Sequence, residues 1–183
     1  MAVRIVTDST CDLPSALVQA HGITVVPLTV FFGDEARLDG VEISAGEFYD
    51  RLRASSELPR TSQPSVELFR ETYERVAADG DEIVSIHLSS KLSGTLNAAS
   101  IAREEVAPLI HVDLIDSYQV SLGLGLIVLE AARAAQSGRR CRKSSPRRAV
   151  PWIASPSTST SIPSNTSRRA AASAGPGRFS APS

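Results

Sequence analysis

Between residues 3 and 136, short runs rich in β-branched residues alternate with longer runs whose apolar residues recur at helical spacing. This alternation constrains the fold more than any other feature of the chain. A strand, a helix and a second strand in succession join as a crossover, which leaves the two strands parallel. The run at 3–6 (VRIV) reads as the first strand and ends at Thr7-Asp8-Ser9-Thr10. Residues 14–21 read as a helix, with Asp12 as its cap and Gly22 as its stop. Residues 23–32 are nearly continuous in apolar side chains, as in a strand covered on both faces, and Pro27 puts part of that run at an edge or bulge. A turn at Phe32-Gly33-Asp34 and a mixed stretch at 35–43 follow. Ser44 and Glu47 then stand at capping-box spacing before a helix striped by Phe48, Tyr49 and Leu52.

The loop ELPRTSQPS leads into a helix over 66–78, closed by Asp79-Gly80-Asp81. A strand at 82–88, a helix at 92–106, a strand at 110–115 and an apolar helix at 122–135 complete the pattern. The expected fold class is α/β, a parallel sheet flanked by helices. Residues 1–137 form the expected domain.

Charge divides the chain at the same place. Up to Gly138 there are 10 Lys or Arg and 20 Asp or Glu, a net −10; from Arg139 onward there are nine basic residues and no acidic one, a net +9. Residues 138–183 are low in complexity and rich in Ser, Thr, Pro and Ala, the composition of a disordered basic tail. A sharper reading takes this tail as the product of a single-base frameshift within 136–157. Codons permitted for Thr158 through Arg169 allow FYVDTLEYLKK in the neighbouring frame, and those for Arg169 through Ser183 allow GGRIGRARALLGTL. Cys11 and Cys141 fall one on each side of the boundary, so no disulfide framework is expected. No apolar run reaches the ~20 residues that span a bilayer, and no leader-like segment opens the chain; a cytoplasmic protein without stable membrane insertion is the expectation.

Polar clusters stand at the ends of the expected strands: Thr7-Asp8-Ser9-Thr10, the stretch from Leu88 through Ser93, Gly94 and Thr95, and Asp116-Ser117. A fourth, Arg60-Thr61-Ser62-Gln63-Pro64-Ser65, opens a helix. Open α/β sheets bind ligands beyond the carboxyl ends of their strands, and hydroxyls with unpaired amides at helix starts suit a carboxylate or phosphate. Each cluster taken alone reads first as helix capping. There is no phosphate-loop or dinucleotide fingerprint and no nucleophile elbow. His21, His87 and His111 lack metal spacing, so neither a metal nor a cofactor is expected. His87 reads as a satisfied half-buried histidine, Cys11 as a small buried hydrophobe, and Ser93 has no evident base. No catalytic residue is assigned; the site is built to hold a ligand.

The segments VTDSTCDLP, VPLTVFFGDEARLDGVEISAGEFYDRL, PRTSQPSVELFRETYE, IVSIHLSSKLSGTLNAASIA and VDLIDSYQVSLGLGLIVLEAA, in this order, resemble the DegV family of fatty-acid-binding proteins over residues 2–137. The resemblance implies an N-terminal lipid-binding α/β domain, with a second domain supplying much of a tunnel wall. It implies a long-chain, palmitate-like fatty acid whose carboxylate is held by Thr61 and Ser93. Asp8, Ser9, Thr10, Ser62, Gln63, Gly94 and Thr95 would line the same rim. It further implies a carrier subunit, not an enzyme, which presents the acid to the ATP-dependent catalytic subunit of a fatty-acid kinase. The alternative is a small-molecule phosphate-handling enzyme using Asp8 and the Ser/Thr rim. Nucleic-acid binding through the basic tail ranks last, and no nucleic-acid partner is expected.

Overall fold

The computed structural model describes residues 2–77 and 81–137. The expectations for 138–183, disorder or a shifted frame, lie outside the described residues. Four strands form a parallel sheet in the order β2 (Ile23–Val26), β1 (Val3–Asp8), β6 (Glu82–His87), β7 (Val112–Asp116). The expected α/β class is therefore observed. Between β2 and β6 the chain builds a second, antiparallel sheet from β3 (Thr29–Phe32), β4 (Glu35–Leu38) and β5 (Arg60–Ser62), ordered β4-β3-β5.

Helices cover both faces of the parallel sheet, as its doubly apolar strands require. Side chains alternate along each strand, so Ile5, Ile23, Val84 and Ile86 pack on one face against Leu124, Ile127 and Val128 of α5 (Leu122–Gln136). Val18 of α1 (Ser15–Ala20) joins this layer. On the other face Val6, Val26 and Ile83 meet Phe69 and Tyr73 of α3 (Val66–Val76), and Ala98, Ala99 and Ala102 of α4 (Thr95–Val106). From β1 the chain steps outward to β2 through α1; from β6 it steps the opposite way to β7 through α4. The common right-handed crossover puts those two helices on opposite faces. It also makes the gap between β1 and β6 the point where strand order reverses.

Several sequence expectations are corrected. Residues 23–32 are not one strand: Pro27 divides them between two sheets, because it cannot donate to a ladder. The ELPRTSQPS loop contains β5, three residues that gain strand geometry only by pairing with β3, Thr61 opposite Val30. Asp12 does not cap α1, whose N-cap residue is Pro14 with no side-chain cap; Asp12 instead adopts φ 50° after the 3-10 turn Ser9–Cys11 and accepts a 2.6 Å hydrogen bond from the Ser121 hydroxyl. The helix expected from residue 92 begins at Thr95. Ser44 caps α2 (Ala45–Ala54) through the Glu47 amide at 3.2 Å, as expected, although Glu47 turns to Arg51. The apolar stripe of α2 stays half-buried at Phe48 and Leu52, and Tyr49 is exposed.

Candidate functional site

β1 and β6 diverge into different loops where strand order reverses. An open cavity of about 490 Å³ lies at this point. On the parallel-sheet side its lining is Thr10, just past β1, with Leu88, Leu92 and Ser93, just past β6; the antiparallel sheet and its flanks contribute Leu28, Val30, Asp39, Thr61, Ser62 and Gln63. Thr61 and Ser93, 32 positions apart in the chain, thus line one cavity, Thr61 from β5 of the antiparallel sheet and Ser93 from the loop after β6. Their walls belong to different sheets, a placement the sequence did not indicate.

The Ser93 hydroxyl accepts the Thr95 amide at 3.2 Å and lies 2.9 Å from the Thr95 hydroxyl. When Thr95 donates, Ser93 keeps its own hydrogen for a ligand. Thr95 itself is fully buried behind Ser93, and Gly94, the cap residue of α4, carries no capping side chain. Neither Gly94 nor Thr95 lines the cavity. The room beside Gly94 is occupied as well: a Cβ there would collide with Gln63 Oε1. Glycine therefore admits a neighbouring side chain at this position, where the sequence had suggested a ligand. Thr61, Ser62 and Gln63 are exposed at the mouth.

Asp8 and Ser9 stand behind the wall. Ser9 Oγ accepts the Leu28 amide at 3.1 Å, tying the 3-10 turn to the strand junction. Asp8 is wholly buried and its carboxylate is saturated: one oxygen accepts the Thr10 amide at 3.1 Å and the Thr10 hydroxyl at 2.5 Å, the other the Leu88 amide and His87 Nδ1, each at 3.0 Å. Burial by itself would raise the Asp8 pKa, but the His87, Thr10 and Leu88 hydrogen bonds outweigh it and hold the carboxyl below its usual value. The chain of contacts continues from His87 Nε2 to Ser85 Oγ at 2.7 Å and from Ser85 to the Tyr73 hydroxyl at 2.9 Å. His87 is fully buried, not half-buried, with both ring nitrogens engaged and its ring nearly perpendicular to that of Phe69, 5.1 Å between centroids. Burial also pushes the Tyr73 hydroxyl to about 12 and the Cys11 thiol to about 11, so neither ionises near neutrality.

This network braces the floor of the cavity and offers no base to it. The third sequence cluster is structural too. Asp116 accepts the Ser90 hydroxyl at 2.5 Å and the Tyr118 amide at 3.0 Å, and the Ser117 hydroxyl donates to the His87 carbonyl at 2.7 Å. Sequence reading missed Leu28, Val30 and Asp39 as cavity residues. The break at Pro27 followed by the Gly33-Asp34 turn was the available sign that this stretch leaves the main sheet. Among the described residues no group of His, Cys, Asp or Glu has metal-binding geometry, and no helix is long and apolar enough to cross a membrane.

The molecule is thus an α/β domain with a hydroxyl-rimmed cleft at its switch point. A family model described as an uncharacterised protein of the DegV family matches residues 2–144. A DegV domain-containing protein of Streptomyces coelicolor is 47% identical over 137 residues, 74% of this chain and 48% of its own length. Among solved structures, one described as showing fatty-acid binding of a DegV family protein from Thermus thermophilus is 37% identical, with a TM-score of 0.70 over 77% of this chain and 50% of that one. Another, a stearic-acid-binding protein from Eubacterium ventriosum, is 32% identical with a TM-score of 0.71 over 76% and 49%. The chain belongs to the DegV family. It spans about half the length of these relatives.

Proposed function

We propose that residues 1–137 are the lipid-binding domain of a fatty-acid carrier and that the cavity at the switch point receives the acid's head group. The observation that carries this reading is the juxtaposition of Thr61 and Ser93 on one wall system with Leu28, Val30, Leu88 and Leu92. Hydroxyls can fix a carboxylate, and the apolar residues begin a path for its chain. Among the described residues the lining holds no Lys, Arg or His, and its one ionisable group is Asp39. A dianionic phosphate would meet a negative wall there, which counts against the phosphate-handling alternative, as does the saturated Asp8. A monoanionic or protonated acid fits better. The fatty-acid binding described for the Thermus thermophilus and Eubacterium ventriosum relatives supports the same choice.

At ~0.8 kcal/mol per buried methylene, a sixteen-carbon tail could contribute roughly 10 kcal/mol gross if fully enclosed. Affinity then comes mainly from the tail, and the hydroxyls set orientation. Such a protein needs no reaction of its own; it presents the carboxyl group, in the cytoplasm, to an ATP-dependent kinase subunit. The test is to purify the full chain from bacteria, extract it with organic solvent and weigh the acids by mass spectrometry. Near-stoichiometric acids of palmitate or stearate size are expected, and an extract without them overturns the proposal. Acyl phosphate, trapped with hydroxylamine, should form with ATP only when the kinase subunit is added; formation without it would show an enzyme.

A further inference from the structure

Gly94 has no conformational need to be glycine. Its φ of −78° and ψ of 5° lie where any residue can sit, and the N-cap position of α4 would favour Ser, Thr, Asp or Asn. What stands in the place of a side chain there is the movable end of Gln63. A Cβ at Gly94 would strike Gln63 Oε1 and come within 3.1 Å of Cδ and 3.3 Å of Nε2. The Gln63 carboxamide therefore lies oxygen-first against Gly94, joining the end of the antiparallel sheet to the start of α4. With its oxygen turned to Gly94, its two N–H donors are accepted by no described residue, and Gln63 lines the cavity beside Thr61 and Ser93.

We propose that Gln63 is a further head-group residue of this cavity, seated on Gly94, and that its carboxamide N–H completes the donor set of Thr61 and Ser93. The inference rests on the fatty-acid reading of the site. Among the described residues the cavity has no cationic wall, so an anion there draws on neutral donors, and two hydroxyls leave most of a carboxylate's acceptor positions open. Gln63, beside Ser93 in the lining, supplies a further neutral donor. Gly94 acts as a positioning residue, since any side chain there would evict the carboxamide.

The test compares palmitate with hexadecanol, which has the same tail and no carboxylate, in binding to the full 183-residue chain. A hydrogen bond to a charged group corresponds to roughly tenfold or more in affinity. Gln63→Ala should weaken palmitate by about that factor and leave hexadecanol unchanged. Gly94→Ala should produce the same selective loss, and the double variant should lose no more than either single one. Equal losses for both ligands would show a structural tie only, and unchanged palmitate affinity in Gln63→Ala, which alters an exposed side chain, would overturn the proposal directly. Additive losses would separate Gly94 from Gln63 and overturn the seating. If the unsubstituted chain takes up neither ligand, the fatty-acid reading itself has failed, and this inference with it.

Discussion

Replacing Asp8 by Asn is the most telling perturbation, because the two readings of this residue give opposite results. The side chains are nearly the same size, but Asn presents one acceptor oxygen where Asp has two. If its NH₂ faces Leu88 and His87, the Leu88 amide loses its acceptor; if it faces Thr10, the Thr10 amide does. His87 could change tautomer, but a backbone N–H cannot. A buried unsatisfied donor costs about 1–3 kcal/mol, and exchanging charge-assisted for neutral hydrogen bonds adds about 1 kcal/mol. The expected loss is roughly 3 kcal/mol, a large share of the 5–15 kcal/mol typical of a domain. A drop of roughly 10 °C in Tm would accompany it.

Urea unfolding followed by far-ultraviolet circular dichroism measures the loss. The pH dependence is fixed in sign. The Asp8 carboxyl titrates below its usual value when folded, so its contribution is complete above about pH 4 and disappears as pH falls through the lowered folded value. The Asn variant should lack that acid step. A stability change under about 0.5 kcal/mol would rule out a structural role for Asp8, since burial and four accepted hydrogen bonds could not then matter. An Asp8 acting as a catalytic base would instead leave stability intact and abolish turnover.

Thr7 is fully buried and its hydroxyl has no partner among the described residues, so Thr7→Val should stabilise the fold by about 1 kcal/mol in the same unfolding assay. Gly125→Ala in α5 should destabilise by roughly 1–3 kcal/mol despite the better helix propensity of Ala, because the new Cβ would run into the Cys11 carbonyl oxygen, a backbone atom; a gain in Tm would show that α5 can shift freely. Thr61→Ala and Ser93→Ala should each retain extractable acid while slowing kinase-dependent acyl-phosphate formation more than binding, since the tail supplies most of the affinity. Complete loss of bound acid in either variant would mean that the hydroxyls dominate.

Most strands of the parallel sheet, its flanking helices and the hydroxyl clusters are legible along the chain, because periodicity and helix starts are local properties. Val3–Asp8 and Glu82–His87 announce themselves by apolar runs, and Ser44 and Ser65 by their place before helical stripes. Which clusters share a cavity depends on long-range pairing. Arg60–Ser62 is too short and polar to read as a strand until β3 gives it partners, and that pairing alone carries Thr61 and Gln63 to Ser93 and Gly94. Likewise, a buried Asp8 and a rim Asp8 look alike in sequence. The difference lies in donors from residues 79 and 80 positions away, brought to it by the parallel pairing of β1 with β6.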